Sequence, residues 1–303
     1  MNELVRNVLM GAAGAAGDST FVDDVFSTYL YRGNQGTQTI TNGIDFAGEG
    51  GMVWCKSRSG GHHEIADTVR GTATGNNGGR IIRSNDNTAQ ISGDNGHGFT
   101  SSGFTLGYVS GDVNNANDCV SWSFRKAPDF FDIVTYTGTG SARTVAHNLG
   151  SVPGMILIKC TSHATDWAVG HRNLDSYTNF LRLNQTGAVG SSTAMFNGTA
   201  PTSSVFSVGD SDKTNEPGKT YVAYLFAGGA STAATAGSVD FDGSGDYLSI
   251  PDSSDFEIDG TNFTLECWVK FDDLNGNQAI AGQWRLAGGT DRNFDFYLVG
   301  STL

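Results

Sequence analysis

The strongest constraint in this sequence is that it matches itself. Gly51-Met52-Val53-Trp54-Cys55-Lys56 aligns with Gly154-Met155-Ile156-Leu157-Ile158-Lys159 at an offset of 103 residues. The block 100–107 (TSSGFTLG) aligns with 202–209 (TSSVFSVG) at 102, and Val120-Ser121-Trp122-Ser123-Phe124 with Val222-Ala223-Tyr224-Leu225-Phe226 at the same 102. Upstream, Thr39-Ile40 and Ile44 match Thr144-Val145 and Leu149 at 105. A near-constant offset held by several blocks marks an internal repeat. The aligned blocks are aromatic and branched, so what repeats is core. Residues 20–128 and 129–229 therefore read as two copies of one β domain.

Strand chemistry agrees. Apolar runs at 37–40, 52–56, 120–124, 133–137, 155–159, 180–183 and 221–226 are separated by Gly/Asn/Asp/Ser clusters. Short strands with such turns predict antiparallel β-sandwich-like domains. Charged residues are only 16% of the chain, while Asn, Ser and Thr number 80 of 303. Polarity carried by small neutral side chains suits turns and strand edges rather than helix surfaces. The fold class expected is mainly β, with a short N-terminal helix and a partial C-terminal jelly roll.

The net charge is -13, which gives no electrostatic reason to bind duplex nucleic acid or an anionic membrane. No apolar run is long enough for a spanning helix, so membrane insertion is not expected. Residues 238–303 carry -9 of the total, so a boundary falls near 237. A small-residue linker at 230–237 precedes it. The four cysteines stand apart without metal spacing and read as buried free thiols, consistent with assembly in a reducing host cytoplasm.

At the N-terminus, Leu4, Val5, Val8 and Leu9 share one helical face, and GAAGAAG follows. So short a helix needs a partner surface. Residues 1–19 are read as a docking helix with a Gly/Ala hinge rather than a secretory leader, because the apolar stretch is too short and Glu3 precedes it.

Two resemblances follow from longer stretches. The segment 238–271 (SVDFDGSGDYLSIPDSSDFEIDGTNFTLECWVKF) resembles laminin-G-like, concanavalin A-type jelly rolls. That resemblance implies two curved sheets and glycan binding, sometimes with calcium. The family needs about twice the 66 residues at 238–303, so the sandwich is expected to be completed beyond Leu303 or by another chain. Residues 1–229 look like virion proteins of marine bacteriophages, tail-fibre or tail-associated. The carriers are VSWSFRKAP at 120–128, FFDIVTYTG at 130–138 and HNLGSVPGMI at 147–156, together with LMGAAGAAG at the start. That resemblance implies a place in the phage particle, homotrimeric assembly, contact with other tail proteins and host surface glycans as a partner.

Candidate chemistry is sparse. Asp240, Asp242 and Asp246 offer three carboxylates to calcium in a D-x-D-x-x-x-D spacing, but without the later Glu of an EF-hand loop. Ordinary acidic turns explain them, so no cofactor is expected and calcium is kept as the alternative. Asp255, Glu257 and Asp259 could supply a glycosidase pair, but Glu257-Ile258-Asp259 is followed by Gly260-Thr261-Asn262, without the closing carboxylate of the E-x-D-x-x-E-like strand of jelly-roll glucanases. His62-His63-Glu64 reads as a solvated loop, because neighbours on a strand face opposite ways. His147 and His171 have no nucleophile in a recognisable elbow. Trp54, Trp122 and Trp268 read as core residues, whereas Trp284, beside Arg285, is the candidate sugar platform. The expectation is a non-enzymatic structural virion protein, the particle-attached part of a tail fibre or appendage used in host attachment. The alternative is a secreted or surface carbohydrate-binding protein.

Overall fold

The computed structural model describes residues 21–71, 79–93, 96–107, 113–174, 176–229, 277–284 and 292–299. The protein is mainly β, with 46% strand and 6% helix among the described residues. Residues Ala16–Gly237 form one compact unit, and Ser238–Leu303 fall in another. The division coincides with the shift in charge.

In the first half of the larger unit the strands are β1 (Phe26–Arg32), β2 (Gln38–Thr41), β3 (Gly51–Ser57), β4 (His63–Asp67) and β5 (Gly79–Arg83). They continue with β6 (Ile91–Gly93), β7 (Gly98–Thr100), β8 (Gly103–Leu106) and β9 (Asp118–Arg125). The second half holds β10 (Phe131–Thr137), β11 (Arg143–Ala146), β12 (Pro153–Cys160), β13 (Ala168–His171) and β14 (Asn179–Phe180). It ends with β15 (Gly190–Ser191), β16 (Val205–Val208) and β17 (Thr220–Ala227). One-turn helices occur at Val22–Val25, Phe46–Glu49 and Thr193–Phe196. The other unit contributes the hairpin β18 (Asn277–Trp284) and β19 (Arg292–Val299).

A large sheet in each half has corresponding strand order: β1-β9-β3-β4-β5-β6 in the first and β10-β17-β12-β13 in the second. Residues related by the sequence offset occupy matching register positions. Met52 lies opposite Phe124, as Met155 lies opposite Phe226. Ile40 faces Phe104 in β2·β8, as Val145 faces Phe206 in β11·β16. The cross-strand pairs Phe26/Phe124 and Phe131/Phe226 have ring centroids 5.0 and 4.9 Å apart, both tilted by 50°.

A buried asparagine ties up each half in the same way. Asn114 Nδ2 donates to Gly36 O and Gly107 O at 2.7 and 2.8 Å. Asn215 Nδ2 donates to Ser141 O and Gly209 O at 2.7 and 2.6 Å. The chain passes so close to these loops that a Cβ on Gly33 would meet Asn114 backbone at 2.5 Å, and one on Gly138 would meet Glu216 O at 2.1 Å. Only glycine fits there.

Among the described residues the apolar side chains form three clusters rather than two. One lies between β2, β8 and the first large sheet and contains Ile40, Val53, Cys55, Phe104 and Leu106. Another lies between β11, β16 and the second large sheet and contains Val145, Ile156, Ile158, Phe206 and Ala223. The third unites the halves: Met52, Ile65 and Ile82 from the first pack with Phe131, Leu157, Trp167, Val222 and Tyr224 from the second. Side chains alternate across a strand. Thus Val53 and Cys55 serve the first half's own core while Met52 and Trp54 turn to the shared one. Tyr221, Ala223 and Leu225 face inward on β17, while Val222 and Tyr224 face the other half. Each large side chain buried there contributes roughly 1.5–3 kcal/mol, so two independent sandwiches are not what forms. A sheet covered on both faces also explains the unbroken apolar runs at 155–158 and 221–226.

Candidate functional site

Polar groups are drawn together in three places within the larger unit. The first is buried in the shared core. Arg70 Nε meets Asp67 Oδ2 at 2.5 Å, and Tyr224 Oη donates to the same oxygen at 2.7 Å. Arg70 Nη2 donates to Tyr224 Oη at 3.2 Å and to Ile65 O at 3.1 Å. The Asp67 and Arg70 side chains are 0% and 3% exposed. Burial alone would pull the guanidinium pKa down, but the adjacent Asp67 carboxylate and Tyr224 raise it above its ordinary value. Burial drives the Tyr224 hydroxyl well up. Trp167 Nε1 adds another link between halves, donating to Arg83 O at 2.8 Å. These groups satisfy one another and leave no open face for a substrate, so the cluster is a fastening.

The second lies in the first half's own core, where Glu64 Oε2 and His97 Nε2 are 3.1 Å apart and both side chains are 1% exposed. This corrects the reading of His62-His63-Glu64 as a solvated loop. His63–Asp67 is strand β4, and the strand alternation turns Glu64 inward to a histidine 33 residues away. His62 instead pairs with Asp86 at 3.3 Å.

The third is at the end of β12. The register sets Cys160 opposite Tyr221, and the chain then turns through Thr161, Ser162 and His163. Thr161 N donates to Thr220 O at 2.8 Å, and Thr220 N donates to Ser162 Oγ at 3.1 Å, which fixes the turn. Cys160 Sγ lies 3.2 Å from His163 Nδ1 and 3.7 Å from Ser162 Oγ. Across the turn, His163 Nε2 is 3.1 Å from Glu216 Oε2, near enough for an ion pair but out of line for a hydrogen bond. Tyr221 positions Glu216: its hydroxyl accepts from Glu216 N at 2.9 Å and donates to Asp212 O at 2.7 Å. A thiol, an imidazole and a carboxylate thus stand in sequence. The first half has no counterpart, since the offset places Ser57 and Gly60 at the positions of Cys160 and His163.

A cleft of about 890 Å³ opens near the end of β17, lined in part by Asp129, Val152, Arg172, Tyr177 and Pro201. Arg172 Nη1 donates to Gly228 O, which holds the guanidinium against the cleft wall.

Other sequence candidates separate. His147 is buried and spent on its own turn, accepting from Leu149 N at 3.2 Å and lying 3.2 Å from Thr202 O. His171 Nδ1 accepts from Asn173 N. Trp54 and Trp122 meet edge to face at 6.0 Å, and Trp167 is fully buried. Cys55, Cys119 and Cys160 are free and buried. Trp284 ends β18 in register with Arg292. Leu4, Val5, Val8 and Leu9 lie outside the described residues, as do Asp240, Asp242, Asp246, Asp255, Glu257, Asp259, Trp268 and Cys267. Among the described residues, no group of three or more His, Cys, Asp or Glu converges to hold a metal ion. No helix among them is long and apolar enough to cross a membrane. The Cys160/His163/Glu216 line escaped sequence reading because its carboxylate is remote in sequence. Cys-x-x-His was the only local signal.

These features define an all-β protein whose paired sheets share one core. The chain belongs to the family described as domain of unknown function (DUF7483), which matches residues 22–247. That single match spans both repeats. A search of curated proteins finds no match.

Proposed function

We propose that this chain is a non-enzymatic structural protein of a phage particle, the particle-attached part of a tail fibre or similar appendage involved in host attachment. The observation that carries the reading is the shared apolar core. A spacer in an appendage must not flex between its parts, and a common core fastened by Asp67, Arg70 and Tyr224 removes that freedom. The resemblance of residues 1–229 to phage tail proteins supplies the setting. In this reading Leu4, Val5, Val8 and Leu9 dock on a neighbouring tail protein, three copies assemble in the host cytoplasm, and the acidic C-terminal unit faces host glycans.

Immunogold electron microscopy of purified phage particles, with antibody raised against residues 21–229, tests it. Label on a tail appendage is the expected result. Particles free of the chain would overturn the proposal. Sedimentation of the purified protein tests the trimer separately.

A further inference from the structure

We propose that Cys160 is an activated nucleophile, a modification site for small uncharged carbon electrophiles, with His163 as its proton acceptor. The geometry carries this: Sγ is 3.2 Å from Nδ1, and Nε2 on the far side of the ring is 3.1 Å from the Glu216 carboxylate. A thiol beside a base that is itself backed by an acid is the arrangement by which cysteine nucleophiles are activated. With Nδ1 accepting, the remaining ring proton sits on Nε2, the nitrogen 3.1 Å from Glu216 Oε2.

In the step itself the S–H bond breaks and its proton passes to His163 Nδ1. The sulfur electron pair forms a bond to the electrophilic carbon, and the leaving group departs with the pair from the bond that breaks. The imidazolium so formed is stabilised by Glu216 across the ring.

Access limits the class of reagent. Cys160 is 0% exposed, whereas the His163 side chain is 30% exposed. The imidazole therefore stands between solvent and the sulfur, and the sulfur belongs to the same apolar core as Tyr221, its cross-strand neighbour. Reaction at the sulfur therefore requires the turn at 161–163 to open, and a small neutral reagent needs less opening and less desolvation there than a bulky or charged one.

The protein contains its own controls. Burial raises the Cys55 thiol well above its ordinary range, and burial also raises Cys119. Neither has a histidine within hydrogen-bonding distance among the described residues.

Iodoacetamide labelling of the intact, folded chain, followed site by site by peptide mass mapping, tests the proposal. Cys160 should label at least tenfold faster than Cys55 and Cys119. In His163→Gln its rate should fall to theirs, and in Glu216→Gln it should fall several-fold. Should His163→Gln fail to fold, Glu216→Gln decides alone: slower labelling supports the proposal, and unchanged labelling overturns it. If His163 only shields the sulfur, His163→Gln speeds labelling. An unchanged or faster rate in that variant, or a native Cys160 no faster than the two controls, overturns the proposal.

Discussion

The Tyr224 hydroxyl donates to Asp67 Oδ2 at 2.7 Å across the core that joins the two repeats. The two residues are 157 positions apart, and each comes from a different copy of the repeated pattern. Breaking this contact therefore tests whether the halves depend on each other. Tyr224→Phe keeps the ring but leaves Asp67 and Arg70 one hydrogen bond short, at a cost of roughly 1–3 kcal/mol. Asp67→Ala leaves the Arg70 guanidinium buried without its carboxylate and should cost more, about 3–5 kcal/mol. Urea unfolding followed by fluorescence of Trp54 and Trp167 should shift as one transition in both variants.

Excision of one half is a harsher test. Residues 129–229 alone would expose Phe131, Leu157, Val222 and Tyr224, all now buried. Such a face drives association. The fragment should aggregate or bind a hydrophobic dye, while residues 21–229 together should remain monodisperse by light scattering or form a defined oligomer. A soluble, cooperatively folded fragment would show that the shared core is dispensable.

The paired asparagines make a symmetrical prediction. Asn114→Ala and Asn215→Ala each remove a side chain that bonds two carbonyl oxygens. Each should lower stability by roughly 2–3 kcal/mol, because backbone groups are left unpaired. Thermal melts should show similar losses for both. A loss in only one would mean that the two loops are not held alike.

Lys159 predicts a pH dependence. Its ammonium donates to Asn87 O at 3.3 Å and Cys160 O at 3.0 Å, yet burial pushes its pKa from 10.5 down to about 8. Between pH 8 and 10.5 the unfolded chain retains a proton that the folded chain has lost. Stability attributable to this group therefore rises with pH across that window, by at most about 3 kcal/mol. Buried tyrosines act in the opposite sense above about pH 10, but they are common to wild type and Lys159→Met. The difference between the two proteins, measured by denaturant unfolding from pH 7.5 to 10.5, should carry the slope. Parallel curves would refute the assignment.

Much of the fold was legible because side-chain pattern and pairing register obey the same spacing. The runs 52–56, 120–124, 155–159 and 221–226 are strand centres. Strand β1 was not foreseen, although the offset that maps Ile40 near Val145 also maps Phe26 onto Phe131. Its exposed Tyr29 and Leu30 hid the alternation. The shared core was hidden for a different reason. An apolar run such as YVAYLF announces burial on both faces but not what covers the second face. Among candidate sites, Glu64/His97 and Cys160/His163/Glu216 depend on which way a strand turns a side chain and on loops that close over long separations. The first has no local motif, and in the second only Cys160-x-x-His163 is local, while Glu216 is not.

The buried third cluster also has a consequence for how genes of this family change in length. A repeat whose outer sheet is covered by its sister cannot be lost or gained singly without baring Phe131 or Met52 to water. Insertions and deletions that survive should therefore come in whole pairs, so that the inherited unit is the doublet rather than the repeat.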